Sequence, residues 1–175
     1  MFLNTISNQK LQLRPFLKLD LETWMEWDLD PDVQRYMPER YSKEVTYESQ
    51  EEFFNESESA EDEIHAAIVD AASGELVGTI SLTDIDENEG TGELGIVIGN
   101  KAYWGKGYAT EAIDLFLSEI KNTKRVKRIL AEFETENIAV RKALENNGFQ
   151  LEALSEKSRM KNNQPIDTFR YIKRF

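Results

Sequence analysis

Cysteine is absent from this chain, and histidine occurs once, as His65. Without cysteine there are no disulfides, no thiolate metal ligands and no acyl intermediate on sulfur. Positive charge is scarce: 21 Lys and Arg face 33 Asp and Glu, for a net charge of −12. Nucleic acid is therefore a poor partner, whereas a cationic acceptor suits the field. Long apolar runs are missing too. The opening Met1-Phe2-Leu3-Asn4-Thr5 has no basic segment and no sustained apolar stretch, and no later run approaches a membrane span. These absences predict a cytoplasmic protein with no membrane association and no metal centre. No internal repeat, low-complexity tract or linker divides the chain, so residues 1–175 are expected to form one domain. A chain of that length buries roughly 70% of the surface it exposes when unfolded.

The chemistry concentrates between Gly92 and Ala112. Glu93-Leu94-Gly95-Ile96-Val97-Ile98 is apolar and β-branched, the pattern of a buried strand. From Ala109 onward, Ala112, Leu115, Phe116 and Ile120 recur at helical spacing. Trp104-Gly105-Lys106-Gly107-Tyr108-Ala109 lies between them, a glycine-bearing turn feeding a helix N-terminus. Such a turn aims unpaired N–H groups and the positive end of a helix dipole at an anion. Two nucleotide motifs fail here on particular residues. A P-loop needs glycine at Asn100 and a hydroxyl residue at Gly107. A dinucleotide fingerprint needs a third glycine where Thr110 stands.

Elsewhere, patterning predicts a first strand over Lys10–Arg14 and a helix over Leu17–Leu29. A short helix capped by Asp30-Pro31 should end at Met37, with Pro38 closing it. Glu48 to Glu63 holds eight acidic residues and no basic one, around Phe53 and Phe54. It reads as an amphipathic helix with a solvated acidic face, fraying near Ser57. Three strands, Glu63–Asp70, Glu75–Asp84 and Thr91–Gly99, should form an antiparallel meander. A helix from Tyr108 to Asn122 separates the last of these from a strand at Arg128–Glu134. That connection implies parallel pairing through a right-handed crossover. Asn137 then caps a helix ending at Asn147, with Gly148 beyond it. Strands over Phe149–Lys157 and Ile166–Arg174 close the chain.

Trp104, Gly107 and Ala109 fall on the defined positions of Q/R-x-x-G-x-G/A, so the turn resembles the pyrophosphate loop of the GCN5-related N-acetyltransferases (GNAT). Asn137 through Phe149 resembles the second half of that signature, N-x-x-[AS]-x-R-x-x-E-x-x-G-F, with Val140 at the small-residue position. Trp at position 104, the opening Leu13-Arg14-Pro15-Phe16 and the closing strands resemble the branch acting on ribosomal-protein N-termini (RimJ/RimL type). The resemblance implies an α/β (α+β) fold with a mixed, mostly antiparallel sheet flanked by helices. Its central parallel strand pair splays to admit acetyl-CoA, the implied cosubstrate. Ile96, Val97 and Ile98 would offer backbone groups to the pantetheine arm, Trp104 through Thr110 would hold the phosphates, Asn137 would bond the arm and Arg141 a phosphate. Tyr36, Met37 and Tyr41 would line the acceptor pocket.

The implied reaction is direct attack of a primary amine on the thioester in a ternary complex. Glu93 is the favoured base; Glu132, Glu134 and His65 compete. Relatives place a tyrosine acid seven residues after the helix cap, where this chain has Leu144. A protein N-terminus is the favoured acceptor, a polyamine or other small amine the alternative, and a non-catalytic acyl-CoA-binding module or a nucleotide-binding regulator the competing classes. The state expected is monomer or homodimer.

Overall fold

Alternating apolar residues in the strands and a two-sided set of helices fix a three-layer arrangement around one sheet. The computed structural model describes residues 4–38 and 45–175. Its eight strands are β1 (Ile6–Ser7), β2 (Leu11–Arg14), β3 (Ile64–Asp70), β4 (Leu76–Asp86), β5 (Thr91–Val97), β6 (Arg128–Glu134), β7 (Gln150–Lys161) and β8 (Gln164–Arg174). Their spatial order is β1-β2-β3-β4-β5-β6-β8-β7, all antiparallel except the β5–β6 pair. The meander, the parallel crossover and the closing hairpin therefore stand as the pattern predicts, with an additional short β1 at the edge.

Among the described residues the α-helices are α1 (Leu21–Leu29), α2 (Tyr47–Ser59), α3 (Tyr108–Thr123) and α4 (Ile138–Asn146). Helix α3 buries Ala112, Ile113, Phe116, Leu117 and Ile120, one stripe at helical spacing. With Ala143 and Leu144 of α4 it packs on the sheet face that carries Leu11, Leu13, Leu82, Leu94, Ile129 and Ala131. The opposite face of β3 packs Ala67 and Val69 under Leu21 of α1 and Phe54 of α2. Burying these side chains is worth about 1.5–3 kcal/mol each before ordering costs.

Two expected helices differ. Leu17–Leu29 starts as a 3-10 turn at Lys18–Asp20, because the buried Asp20 carboxylate takes the Leu17 N–H (2.8 Å) and the Arg14 guanidinium (2.7 and 2.8 Å). Those bonds pin the chain before the α-helix can begin, and Leu17 itself stays exposed. The segment after Asp30 forms turns and a 3-10 helix at Gln34–Tyr36 rather than an α-helix. Asp30 caps no helix: its Oδ1 accepts from the Asp32 N–H at 2.9 Å within a turn, and Val33 stands at the N-cap of the 3-10 helix. Strand β5 ends at Val97, two residues early, and β7 and β8 run longer than predicted. Among the described residues, no helix is long and apolar enough to cross a membrane.

Candidate active site

Strands β5 and β6 pair over three rungs only, Thr91 with Arg128, Gly92 with Ile129 and Glu93 with Leu130. Beyond Glu93 the partners separate, although β5 continues to Val97 and β6 to Glu134. β6 stays paired with β8 along its full length, and β5 stays paired with β4 to Val97. The gap is thus a parting of two well-supported strands rather than fraying. It leaves backbone groups of Leu94 through Val97 on an open edge, a surface that an extended amide-bearing chain can pair with.

The loop leaving β5 faces the same opening. Asn100 caps a 3-10 turn at Lys101–Tyr103, and Gly105 and Gly107 take φ of +69° and +79°. At φ near +79°, Gly107 adopts a left-handed conformation that a side chain resists. It turns the chain into α3, whose first helical bond is Glu111 N–H to Gly107 C=O at 3.2 Å. The N–H groups of Gly107, Tyr108, Ala109 and Thr110 precede that bond and have no carbonyl four residues back in the helix. They form a ready anion cradle at the positive end of the dipole.

Side chains hold this loop from several directions. Trp27 of α1 lies flat against Gly99, where a Cβ would come within 1.9 Å of its ring. Lys101 Nζ bridges Asp30 (2.6 Å) and Asp32 (3.1 Å). The Tyr108 ring is buried and its hydroxyl donates to Asp70 on β3. That bond raises the Tyr108 pKa to about 12 and, with the Ser73 N–H, lowers that of Asp70. Lys10, which the sequence suggested only as a strand residue, donates from Nζ to the Lys106 carbonyl at 2.6 Å.

Several expected contributions change in detail. Trp104 uses its indole N–H on the Ile98 carbonyl (2.6 Å), so it shapes the loop and occupies one backbone group expected to face the arm. Lys106 turns its own N–H inward to Tyr103 (3.4 Å) and lays its ammonium over the Tyr103 ring. The side chain of Tyr108 belongs to the core, which leaves its backbone N–H for the cradle. Asn137 spends its side-chain oxygen capping α4, accepting from Val140 N–H at 3.3 Å. Arg141 pairs with Glu145 (2.9 Å) and stacks over Phe169, rather than extending alone toward a phosphate. Tyr41 lies outside the described residues.

The acceptor side follows from strand parity. Glu93 and Leu130 are opposite one another, so Glu132 and Glu134 share Glu93's face. Ile129, Ala131 and Phe133 point the other way, into the core. Glu132 receives two guanidiniums, Arg159 at 2.9 Å and Arg170 at 3.1 Å. Glu134 is buried and paired with Lys161, which also donates to the Arg35 carbonyl and lies over the Tyr36 ring. Tyr36 is thereby brought beside β6. His65 is not. It sits on β3, bonded to Glu63 (2.7 Å) and packed edge-on against Phe53. Leu144 is 1% exposed within the core, so no hydroxyl stands at the usual acid position. The nearby phenol, Tyr171, donates to Glu145 (2.9 Å), and its pKa is raised by burial and that carboxylate.

The family model of the acetyltransferase (GNAT) domain matches residues 10–150. The chain belongs to the GNAT acetyltransferases. This acetyltransferase uses acetyl-CoA as its acetyl donor, which the parted strands and the anion cradle fit. A GNAT-family acetyltransferase structure from Bacillus anthracis is 28% identical, covering 97% of this chain and 98% of that one, with a TM-score of 0.83. RimL, the ribosomal L7/L12 α-N-protein acetyltransferase with coenzyme A, superposes with a TM-score of 0.87 at 14% identity, over 98% of both chains. Spermidine N-acetyltransferase from Vibrio cholerae, with CoA and spermine, gives 0.84 at 22% identity, over 95% of this chain and 96% of that one. At the last two identities the likeness is one of fold.

Proposed function

We propose that this acetyltransferase modifies the α-amine of a protein or peptide N-terminus, with Glu93 as the base. The observation that carries the reading is the parting of β5 from β6 immediately after Glu93. A thioester lying in that gap would bring its carbonyl beside the last paired rung, where Glu93 stands on the acceptor face. N–H groups of Ile96 through Ile98 are candidates for polarising that carbonyl. Gly105 and the N–H groups from Gly107 to Thr110 would hold the pyrophosphate. Glu132, paired with Arg159 and Arg170, and Glu134, paired with Lys161, are the alternatives on the same face.

The strength of the base bears on the acceptor. An α-amine, with pKa about 7.7–8.0, is on the order of 10% neutral at pH 7, whereas an amine near 10.4 is well under 0.1% neutral. A site that offers carboxylates as its bases and no hydroxyl acid at Leu144 suits the amine that gives up its proton readily. Water would then protonate the departing thiolate. The two fold relatives act on different acceptors, a ribosomal protein and spermidine, so fold does not choose between them. The reading is of a cytoplasmic enzyme, in keeping with a chain that carries no cysteine.

Release of CoA from acetyl-CoA, measured across N-terminal peptides, spermidine and peptides blocked at the N-terminus but carrying lysine, tests the reading. Free N-terminal peptides should give the highest kcat/KM. Faster turnover of spermidine would replace the acceptor, and acetyl-CoA binding with no turnover of any amine would make the protein a binding module.

A further inference from the structure

The geometry points to an acceptor that carries an anionic group one or two residues from its amine, gripped by Arg159 and Arg170. This inference rests on the acetyl-transfer reading above and names its substrate class. The register places Glu93, Arg128, Glu132, Glu134, Arg170 and Arg174 on the acceptor face of β5, β6 and β8; Arg159 and Lys161 of β7 reach it through Glu132 and Glu134, while Arg128 pairs with Glu89 and Arg174 with Glu152. Glu134 and Lys161 cancel. Glu132 is one carboxylate shared between two guanidiniums, bonded through a single terminal nitrogen to each oxygen (2.9 and 3.1 Å). Each guanidinium carries five donors in a planar fork, so both arginines keep donors to spare, and Glu132 with Arg159 and Arg170 sums to one net positive charge.

The arrangement is also accessible and aimed. The Arg170 side chain is 48% exposed and that of Arg159 27%, against 20% for Glu132 beneath them. Thr168 donates to Glu132 (3.4 Å) and exchanges a hydrogen bond with Ser158 (2.7 Å), so the floor under the arginines is itself anchored. Arg170 lies opposite Glu132, two strands from Glu93 and two residues further along. With strands about 4.8 Å apart and same-face residues about 6.7 Å apart, the Cα atoms of Glu93 and Arg170 are on the order of 12 Å apart. Two long side chains reaching inward leave a gap that one or two residues of extended chain, at about 3.5 Å each, would span. An amine at Glu93 thus places an acidic first or second side chain at the arginines. A polycation fits poorly, since the β6 carboxylates it would need are already held by Arg159, Lys161 and Arg170.

Amidated peptides Asp-Ala-Ala and Ala-Glu-Ala, their neutral partners Asn-Ala-Ala and Ala-Gln-Ala, and spermidine provide the test with the full chain and acetyl-CoA. The acidic member of a pair should win in kcat/KM by about tenfold or more, the scale of a charge-assisted hydrogen bond. The gain should lie in KM. In R159Q and R170Q the acid-to-neutral ratio should fall toward one, while calorimetry still finds acetyl-CoA bound with native affinity. Equal ratios in the unmodified enzyme, or a preference for spermidine, overturn the inference but leave acetyl transfer standing. Absence of transfer to every acceptor overturns both. R170E supplies a further arm: it should reverse the preference toward Ala-Lys-Ala, and an unchanged order would also count against the arginines.

Discussion

The loop from Ile98 to Thr110 and the face carrying Glu93, Glu132 and Arg170 meet at the open end of β5, yet they are made of opposite materials. The loop offers backbone N–H groups, shaped by two glycines in left-handed conformations and braced by Trp27, Trp104 and Tyr108. The acceptor face offers long charged side chains drawn from β6, β7 and β8, whose positions depend on each other. A backbone cradle can hold the invariant part of a cosubstrate, because any side chain that keeps the turn will do. A side-chain network can be retuned one residue at a time, which suits the part that differs between acceptors.

The largest expected effect breaks the cradle. Gly107→Trp forces a bulky residue to φ +79° beside Lys10 Nζ, 3.3 Å from where a Cβ would stand. Strain alone costs about 1–2 kcal/mol per residue in that conformation. Obstruction of the N–H groups should add far more, lowering acetyl-CoA affinity by about 100-fold or beyond in calorimetry while circular dichroism keeps the native spectrum. Native affinity would remove the loop from the binding site. Glu93→Gln attacks the other half and should leave acetyl-CoA affinity intact. A missing base lowers kcat by about 10²–10⁴-fold, with the deficit greatest below the pKa of the amine, where a proton must still be taken. A pH–rate profile of unchanged shape would assign the base elsewhere.

A smaller change sharpens the contrast, because it reaches the cradle from behind. Tyr108→Phe removes the hydroxyl that ties the start of α3 to Asp70, leaving the Ser73 donors on that carboxylate. KM for acetyl-CoA should rise a few-fold with kcat little changed, and Asp70→Asn should act in the same direction. Hydrogen bonds from Tyr108 and Ser73 hold the Asp70 carboxyl below its ordinary range, so this tie persists at neutral pH and loosens only as pH falls below the range of ordinary carboxylates. A KM that stays at its native value in both variants would show that the cradle holds its shape without the tie.

The same difference in material explains what could be read beforehand. Gly105, Gly107 and the helix start lie within a few residues of one another, so local chemistry announced the anion loop. Strand–helix–strand spacing announced the parallel pair, since only a crossover joins such strands. The parting after Glu93 left no local trace; it comes from β6 keeping its β8 partner while β5 follows β4. The Glu132 network joins residues 132, 159 and 170, and Lys10 meets Lys106 across most of the chain. No pattern along one segment contains such contacts. Helix α4 shows both cases. The cap at Asn137 was legible from its place before the helix, whereas the Arg141–Glu145 pair was not named beforehand.

His65 shares Glu93's sheet face but is bonded and packed within β3 and α2, which makes it the mildest probe. It is held two strands away from β5, with Phe53 against its ring and Glu63 on Nε2. Burial lowers its pKa despite the Glu63 hydrogen bond. The folded state therefore binds this proton less readily than the unfolded chain, whose histidine titrates near 6.5. Stability from the neutral ring is fully present above that value and is lost as pH falls through the lower folded value. Between pH 7 and pH 5 the unfolding midpoint of the unmodified protein should drop more than that of His65→Gln, which has no such proton to take up. kcat should be the same in both proteins at neutral pH. A loss of turnover in His65→Gln without a matching loss of stability would give this histidine a part in catalysis and weaken the case for Glu93.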